Sequence, residues 1–233
     1  MKKNIWNWVI WTVLVLIVIS GLIWAYSSFP LFVSSIHFSY STPQSKTVDY
    51  YDIHANQFTS DTAHIDFTSR YKPFLKYVKK GGHILDAGCG CGRDVEYFQK
   101  QGYEVTAFDA SIEMVRIAKQ TTGKEVSCRT FDDVNEIQQY DGIWANNSLL
   151  HLPKKRLFHS IDKLYRALKP GGVLFMSFKK GDFEGFEEGR YYTYMDEETL
   201  EKILKPLEDI EKVEAWTEVE DGHFWLQMII RKT

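Results

Sequence analysis

The sequence predicts an α/β protein with a mostly parallel sheet covered by helices on both faces. From residue 47 onward, short apolar runs alternate with helical patterns, which is typical of such sheets. One apolar run leads through a glycine-rich turn, residues 88–92, into a helix, as in ligand-binding sheets of this class. The roughly 185 residues after the N-terminal segment suffice for one sizeable core.

The N-terminal segment has a different composition. Residues 5–26 are almost wholly apolar and uncharged, and tryptophans lie near both ends. At about 1.5 Å per residue, a helix over this run spans roughly 33 Å, enough to cross a bilayer. A cleaved signal peptide is the alternative, but the run exceeds a signal's apolar stretch and no small-x-small cleavage site follows. We therefore expect a transmembrane anchor over residues 1–26 and a juxtamembrane linker over 27–46.

The predicted elements of the remaining domain, residues 47–233, alternate in chain order. The length of each apolar run and its flanking turn residues separate the strands from the helices. Helices are predicted over Asp49–Phe58, Asp66–Val78, 93–101, 111–121, 154–168 and 196–205. Strands are predicted over 83–86, 104–108, 125–129, 140–145, 172–178, 208–218 and 224–231.

The charge balance bears on the partners. Residues 1–46 contain three of the 28 lysines and arginines and none of the 31 acidic residues, so the remainder carries a formal net charge of −6. Proteins that bind a phosphate backbone usually show a basic footprint. A nucleic acid partner is therefore not expected, although a locally basic pocket remains open.

The glycine-rich turn is the most informative motif. It follows Asp86 at the end of a predicted strand and alternates glycine with cysteine over Gly88–Gly92. Such a turn brings backbone N–H groups and a helix N-terminus close to a ligand. The dinucleotide fingerprint would need a glycine at position 93, where this sequence has Arg93.

Asp109 ends the next predicted strand, 17 residues after Gly92. A carboxylate at about this distance beyond the glycine turn can accept hydrogen bonds from both hydroxyls of a ribose. Alternatively, Asp109 caps the helix that begins at Ser111.

Three further motifs follow in order: Phe131-Asp132-Asp133, the strand and turn over 140–153, and the connector Leu168-Lys169-Pro170-Gly171-Gly172. With the glycine turn and Asp109, they resemble the class I S-adenosylmethionine-dependent methyltransferases over roughly residues 48–233. The resemblance implies a three-layer Rossmann-like fold, with seven strands and an antiparallel last strand. It also implies an enzyme with S-adenosylmethionine as cofactor.

The resemblance assigns roles to positions of this chain. It implies that Asp109 binds the ribose, that Ile112 and Met114 flank the adenine, and that Asp132 (or Asp133) accepts from the adenine amino group. The backbone that begins at Asn146 is expected over the cofactor. The expected cofactor-binding residues are Asp86, Gly88, Cys89, Gly90, Gly92, Arg93, Asp109, Ala110, Met114, Asp132 and Asn146.

The acceptor side is less determined by motifs. The resemblance implies that Tyr50 or Tyr51, Arg70 and Arg93 lie near the carboxylate of the cofactor's methionine part, and Tyr51 and Arg70 are taken as substrate-side candidates. Lys179 and Arg190 are candidates for binding an anionic acceptor. His151 either acts as a general base, since its ordinary pKa of about 6.5 suits neutral pH, or holds a loop by a hydrogen bond. We expect no metal, because the histidines are scattered and two cysteines lie in the glycine turn.

Three functions stay open at this stage. The first is a methyltransferase that acts on a small-molecule or lipid-like acceptor at a membrane. The second is a membrane-anchored S-adenosylmethionine-binding module without catalysis, and the third is an RNA-directed methyltransferase, which the acidic charge disfavours. The intact cofactor motifs favour the first.

The predicted localisation is a single-pass membrane protein. Lys2 and Lys3 precede the apolar run, and the positive-inside rule then places the domain outside the cytoplasm. An odd number of cysteines fits a reducing compartment better, and S-adenosylmethionine is a cytosolic metabolite. A cytoplasmic domain is slightly favoured.

Overall fold

The structure, a computed structural model, describes residues 42–220 and 222–233. The predicted anchor over residues 5–26 and most of the predicted linker lie outside these residues. No helix in the described part of the chain is both long and apolar enough to cross a membrane.

The described elements follow the predicted order, with small shifts at their ends. Two short 3-10 helices, Phe131–Asp133 and Leu149–His151, lie in the turns that follow the third and fourth strands. The helices are α1 Pro43–Thr62, α2 Thr68–Leu75, α3 Arg93–Lys100, α4 Ile112–Thr122, α5 Lys154–Ala167 and α6 Glu197–Leu204. The strands are β1 His83–Ala87, β2 Glu104–Asp109, β3 Ser127–Cys128, β4 Tyr140–Ala145, β5 Leu168–Lys179, β6 Glu184–Glu187, β7 Arg190–Thr193, β8 Ile210–Glu220 and β9 His223–Lys232.

Seven strands form one sheet in the order β3-β2-β1-β4-β5-β9-β8. The pairs among β1 to β5 are parallel, whereas β9 runs antiparallel to both β5 and β8. The predicted Rossmann-like sheet with an antiparallel last strand is thus confirmed. Because the carboxyl ends of parallel strands share one edge, Ala87, Asp109, Ala145 and Lys179 end at the same edge of the sheet.

Helices cover both faces of the sheet because neighbouring strand residues point to opposite sides. On one face, Leu85 and Ile143 belong to the apolar cluster that contains Leu157 of α5. On the other face, Ile84 and Trp144 belong to a second cluster, whose helical members include Phe74 of α2 and Phe98 of α3. Trp144 is fully buried and stacks on Phe175 with ring centroids 4.0 Å apart.

The first helix is longer than predicted. It begins at Pro43 inside the predicted linker, because the Thr42 hydroxyl caps it by accepting from the Ser45 N–H at 3.0 Å. Proline at the first helical position also favours a helix start. The additional turn brings Thr47 to β7, where its hydroxyl accepts from the Tyr191 N–H at 2.9 Å.

The hairpin β6–β7 was not predicted. Its two-residue turn, Glu188–Gly189, has positive φ at both positions, 49° and 82°, as tight hairpins require. A Cβ at Gly189 would lie 2.8 Å from the ring of Tyr50, so the hairpin packs closely on α1. This packing brings Arg190, the first residue of β7, next to the N-terminal half of α1.

Candidate active site

The glycine turn lies directly on the end of β2. The N–H groups of Gly88 and Cys89 both donate to the Phe108 carbonyl, at 2.9 and 3.0 Å. Gly88 has φ +86°, and a Cβ there would lie 2.5 Å from the Ser148 Cβ. At Gly90, also with positive φ, a Cβ would meet nothing within 4 Å. The turn therefore presents bare backbone to an open space, which suits a ligand that needs close backbone approach.

The carboxylate of Asp109 binds the backbone of the glycine turn. Its Oδ2 accepts from the Gly90 N–H and its Oδ1 from the Ser111 N–H, both at 2.9 Å. The cap of α4 is Ser111, whose hydroxyl accepts from the Met114 N–H at 3.1 Å. The capping alternative for Asp109 is therefore wrong. Burial raises the pKa of Asp109, while the two backbone donors oppose that rise.

The expected adenine side is only partly as predicted. Ala110 and Met114 line the cavity beside Asp109, but Ile112 is 54% exposed and does not. Asp132 lies outside the cavity, because Arg156 of α5 donates to both of its carboxylate oxygens, at 2.7 and 2.6 Å. The position of Asp132 does not support the adenine contact. Asp133, the alternative, accepts a hydrogen bond from the Thr130 N–H.

Asp86 and Asp94 form a buried acidic pair behind the turn. Asp86 is 2% exposed, and its Oδ2 has no hydrogen-bond partner within the described residues. Burial, together with nearby Asp94, raises the pKa of Asp86 well above its ordinary value. Because an unpartnered buried carboxylate is costly, a positive charge on a ligand near the turn would stabilise the ionised form of Asp86.

Asp94 was not among the predicted site residues, although it lines the cavity. It accepts from the Tyr71 hydroxyl at 2.6 Å, the Trp144 Nε1 at 2.7 Å and the Arg93 Nε at 2.6 Å. Burial opposes its ionisation, but Arg93 and these donors outweigh burial and lower the pKa of Asp94. The signal in the sequence was its place beside Arg93 in the first turn of α3, where acidic residues are favourable.

Arg93 and Asn146 complete the wall around Asp94. The Nη1 of Arg93 donates to the Thr62 carbonyl at 3.1 Å, and its guanidinium lies 4.1 Å from the Phe67 ring centroid. Asn146 donates from Nδ2 to Asp94 at 3.3 Å and accepts at Oδ1 from Ser177 at 3.0 Å.

Arg70 lies outside the cavity, which is a correction to its assignment as a substrate contact. It is 1% exposed and pairs with Glu218 at 2.9 Å and with Glu220. Its Nη1 donates to the Asn146 Oδ1 at 3.1 Å. Arg70 therefore positions Asn146 and ties α2 to the end of β8.

Tyr51 and His151 meet at the other end of the cavity. The Tyr51 hydroxyl lies 2.9 Å from the His151 Nε2, and the His151 Nδ1 lies 2.7 Å from the Tyr191 carbonyl. A carbonyl only accepts, so Nδ1 carries the proton and Nε2 accepts from Tyr51. Burial lowers the pKa of His151 to about 4 and raises that of Tyr51 to about 12.

Lys179 and Arg190 lie beside this pair. Lys179 ends β5, is 9% exposed, and has its Nζ 4.5 Å from the Tyr192 ring centroid. The guanidinium of Arg190 lies 5.4 Å from the same ring and 5.0 Å from the Tyr50 ring. The acceptor-side residues thus come from α1, the turn after β4, β5 and β7.

One cavity of about 390 Å³ connects the two ends. This volume lies within the usual range of small-molecule sites. Four of the predicted site residues are not part of its wall: Asp86, Gly92, Asp132 and Arg70. The predicted residues that line it are Gly88, Cys89, Gly90, Arg93, Asp109, Ala110, Met114, Asn146, Tyr51, His151, Lys179 and Arg190.

Comparison with known families is consistent with this geometry. Residues 84–172 match the family described as "Methyltransferase domain". Among curated proteins, the chain is 33% identical over 101 residues to the malonyl-[acyl-carrier protein] O-methyltransferase of Enterobacter lignolyticus, covering 42% of this chain and 39% of the relative. It is 30% identical over 141 residues to the ubiquinone biosynthesis O-methyltransferase of Coxiella burnetii, covering 56% and 58%. The chain thus spans about two fifths to three fifths of these relatives.

Solved structures match over more of the chain. The 1,6-didemethyltoxoflavin-N1-methyltransferase of Burkholderia thailandensis, with bound 1,6-didemethyltoxoflavin and S-adenosylhomocysteine, has a TM-score of 0.68 at 23% identity and covers 88% of this chain and 93% of that one. The magnesium protoporphyrin IX methyltransferase of Synechocystis, with bound S-adenosylmethionine, has a TM-score of 0.64 at 16% identity and covers 82% and 98%. At these identities the likeness establishes the fold. The family match shows that residues 84–172, the central part of this fold, are similar to methyltransferase domains. The two solved neighbours were crystallised with S-adenosylhomocysteine and S-adenosylmethionine.

Proposed function

We propose that the protein transfers a methyl group from S-adenosylmethionine to a small-molecule or lipid-like acceptor. The observation that carries this proposal is the single cavity, which joins the glycine turn and Asp109 to Tyr51, His151 and Lys179. A cofactor held at one end then presents its methyl group to an acceptor at the other. The O-methyltransferases that share 30–33% identity with this chain support a small-molecule acceptor.

The residues at the cofactor end fit the parts of S-adenosylmethionine. Asp109 lines the cavity and would accept from the ribose hydroxyls, and Ala110 and Met114, which also line it, would lie against the adenine. Asp86 lies behind the turn and outside the cavity wall, so its carboxylate would stabilise the positively charged amino group through charge and not by direct contact. When bound, the cofactor supplies an activated methyl group on a sulfonium, so the protein contributes mainly position.

His151 has a limited chemical role at physiological pH. It is neutral there, with Nε2 as the free acceptor of its imidazole, because burial lowers its pKa to about 4. Such a group can hold Tyr51 in place and receive a proton from an acceptor during transfer, but it is a weak base. If the methyl-accepting atom is unprotonated and has a free lone pair, the transfer needs no base.

The direct test is turnover by the purified full-length protein. Tritiated S-adenosylmethionine is incubated with lipid, small-metabolite and RNA extracts, and label is followed into each. Incorporation into lipids or small metabolites is expected. Label in RNA alone would point to the RNA-directed alternative, and cofactor binding without any incorporation would point to a binding module without catalysis.

We also propose that residues 5–26 attach the protein to a membrane as a single-pass anchor, on the strength of sequence alone. The support is the length of the run, its lack of charge and its flanking tryptophans. The full chain should then stay in the membrane fraction through alkaline carbonate. A soluble chain that begins after residue 26 would mean a cleaved signal instead.

We propose a cytoplasmic domain, because the cofactor is cytosolic and the cysteines are unpaired within the described residues. Lys2 and Lys3 argue for the opposite orientation. Protease added to intact cells separates the two, since loss of the domain would place it outside.

A further inference from the structure

The acceptor end of the cavity contains hydrogen-bond donors that lack acceptors. The Nε of Arg190 and the Nε1 of Trp225 are buried, and within the described residues neither has a hydrogen-bond partner. Both side chains line the cavity. Buried donors in native proteins are nearly always paired, because an unpaired one loses the hydrogen bonds that it makes to water in the unfolded chain. Two of them in one wall therefore indicate a ligand that accepts hydrogen bonds.

These donors belong to one wall, together with the buried Lys179. Lys179 lies opposite Trp225 in the pairing of β5 with β9, and opposite residues of an antiparallel pair share a face of the sheet. The ring of Tyr192 lies within 4.5 Å of the Lys179 Nζ and 5.4 Å of the Arg190 guanidinium. We call this group, Lys179, Arg190, Tyr192 and Trp225, the donor wall.

The acids next to the donor wall face water more than the cations do. Glu187 lies 3.1 Å from Lys179, and Glu188 lies 3.2 Å from Arg190. The side chains of these acids are 37% and 79% exposed, against 11% and 16% for their cationic partners. Solvent screens exposed charges more strongly than buried ones, so the inner side of the wall is positive.

The other ionisable groups nearby do not offset this charge. Glu220 lines the cavity but is held by Arg70. His151 is kept neutral by burial, and the Tyr51 hydroxyl donates to it. Glu188 also lines the cavity, but it is the most exposed of these acids, and His223 adds no negative charge. The acceptor end is therefore rich in donors and positive charge, while its body is aromatic.

Resting on the proposed function, we propose that the methyl acceptor is an anionic small molecule whose oxyanion binds the donor wall through Lys179, Arg190 and Trp225. Its apolar part lies against the Tyr192 ring. An oxyanion accepts several hydrogen bonds at once, and hydrogen bonds to charged groups are the stronger kind. A neutral acceptor could pair with these donors but would not balance the charge of Lys179 and Arg190, and a cationic one would be repelled by it.

Calorimetry on the full-length protein in detergent tests this proposal without knowledge of the acceptor. The protein is saturated with S-adenosylhomocysteine and titrated with benzoate, then with benzamide, which has the same size and no charge. We expect benzoate to bind at least tenfold more tightly. Equal binding, preference for benzamide, or no binding of benzoate would overturn the proposal.

A pair of neighbouring lysines supplies matched variants. Lys179→Met should weaken benzoate binding at least tenfold and leave the affinity for S-adenosylhomocysteine unchanged. Lys180→Met, in the next residue, should change neither, because Lys180 is exposed and outside the cavity wall. If Lys179→Met does not fold, Arg190→Gln takes its place.

The two proposals fail in different ways. If Lys179→Met weakens S-adenosylhomocysteine instead of benzoate, the donor wall holds the carboxylate of the cofactor and the inference is overturned. If the unaltered protein binds no S-adenosylhomocysteine, the proposed function fails. Benzoate and benzamide are then compared without it, and a preference for benzoate would show that the donor wall binds an oxyanion that is not a methyl acceptor.

Discussion

The two ends of the cavity are built in different ways. The cofactor end consists mostly of backbone and short side chains at the termini of β1, β2 and β4, all close to one edge of the sheet. The acceptor end consists of long side chains from α1, β5 and β7 that meet through tertiary packing. The first end depends on strand geometry, and its spacing is therefore visible in the sequence. The second depends on how a hairpin and a helix pack.

The largest expected effect concerns the support of the cofactor end. Asp94→Ala removes the acceptor of Tyr71, Trp144 and Arg93, and breaking such a buried charged network costs about 3–5 kcal/mol. Urea unfolding should show this loss. Glu96→Ala, in the same helix but at an exposed pair with Lys100, is the control and should change stability by less than about 0.5 kcal/mol. Similar losses of stability in both variants would show that Asp94 has no special structural role.

The next effect concerns the ribose contact. Asp109→Ala should weaken the binding of S-adenosylhomocysteine by about 1.5–3 kcal/mol, the range for lost hydrogen bonds to a charged group. Asp132→Ala is the matched control, since Arg156 holds that carboxylate outside the cavity, and its affinity should be unchanged. Calorimetry on both folded variants decides. A loss only with Asp132→Ala would restore the adenine contact that the sequence predicted.

A third effect concerns protons at Asp86. Its pKa is raised in the unliganded protein, and a bound positive amino group would lower it, so binding should release a proton. Affinity for S-adenosylmethionine should then rise by up to about tenfold per pH unit between the lowered and the raised pKa. Calorimetry in buffers of different ionisation enthalpy measures the release. Asp86→Asn should abolish it, and release that persists would assign the proton elsewhere.

The smallest effect belongs to the acceptor end. The folded pKa of His151 is about 4, below the ordinary value of about 6.5, so its unfolded form takes up a proton first as pH falls. The stability contributed by neutral His151 is present above about pH 6.5 and is lost as pH falls toward 4. Relative to His151→Asn, the protein should lose about 1 kcal/mol between pH 7 and 5, after discounting for partial exposure. A constant difference would mean that His151 titrates normally.

The sequence predicted the parts of the fold and site that depend on local pattern. The glycine turn, Asp109 and the ends of β1, β2 and β4 follow from short spacings. The adenine contact predicted for Asp132 is not supported, because a motif position does not show that a neighbouring side chain, here Arg156, binds the carboxylate. The substrate contact predicted for Arg70 is not supported for a related reason. Its partners Glu218 and Glu220 lie about 150 residues away in the chain, so no local pattern shows the pairing.

The acceptor-side residues show the complementary limit. Lys179 and Arg190 were predicted as a basic cluster, yet the hairpin that separates them in the chain was not. The tight Glu188–Gly189 turn is typical of a hairpin, but the acidic residues around it are equally typical of a solvated loop. Only packing against Tyr50 shows that this loop is a structured wall of the cavity.

The hairpin β6–β7 has a consequence for how such a protein diversifies. Among the residues that the structure describes, it pairs only with itself, in a two-stranded sheet separate from the seven-stranded one. Substitutions along it can therefore accumulate without disturbing the strand order that fixes Asp109 and the glycine turn. Under the proposed function, changes within these ten residues, 184–193, would alter the choice of methyl acceptor without moving Asp109 or the glycine turn.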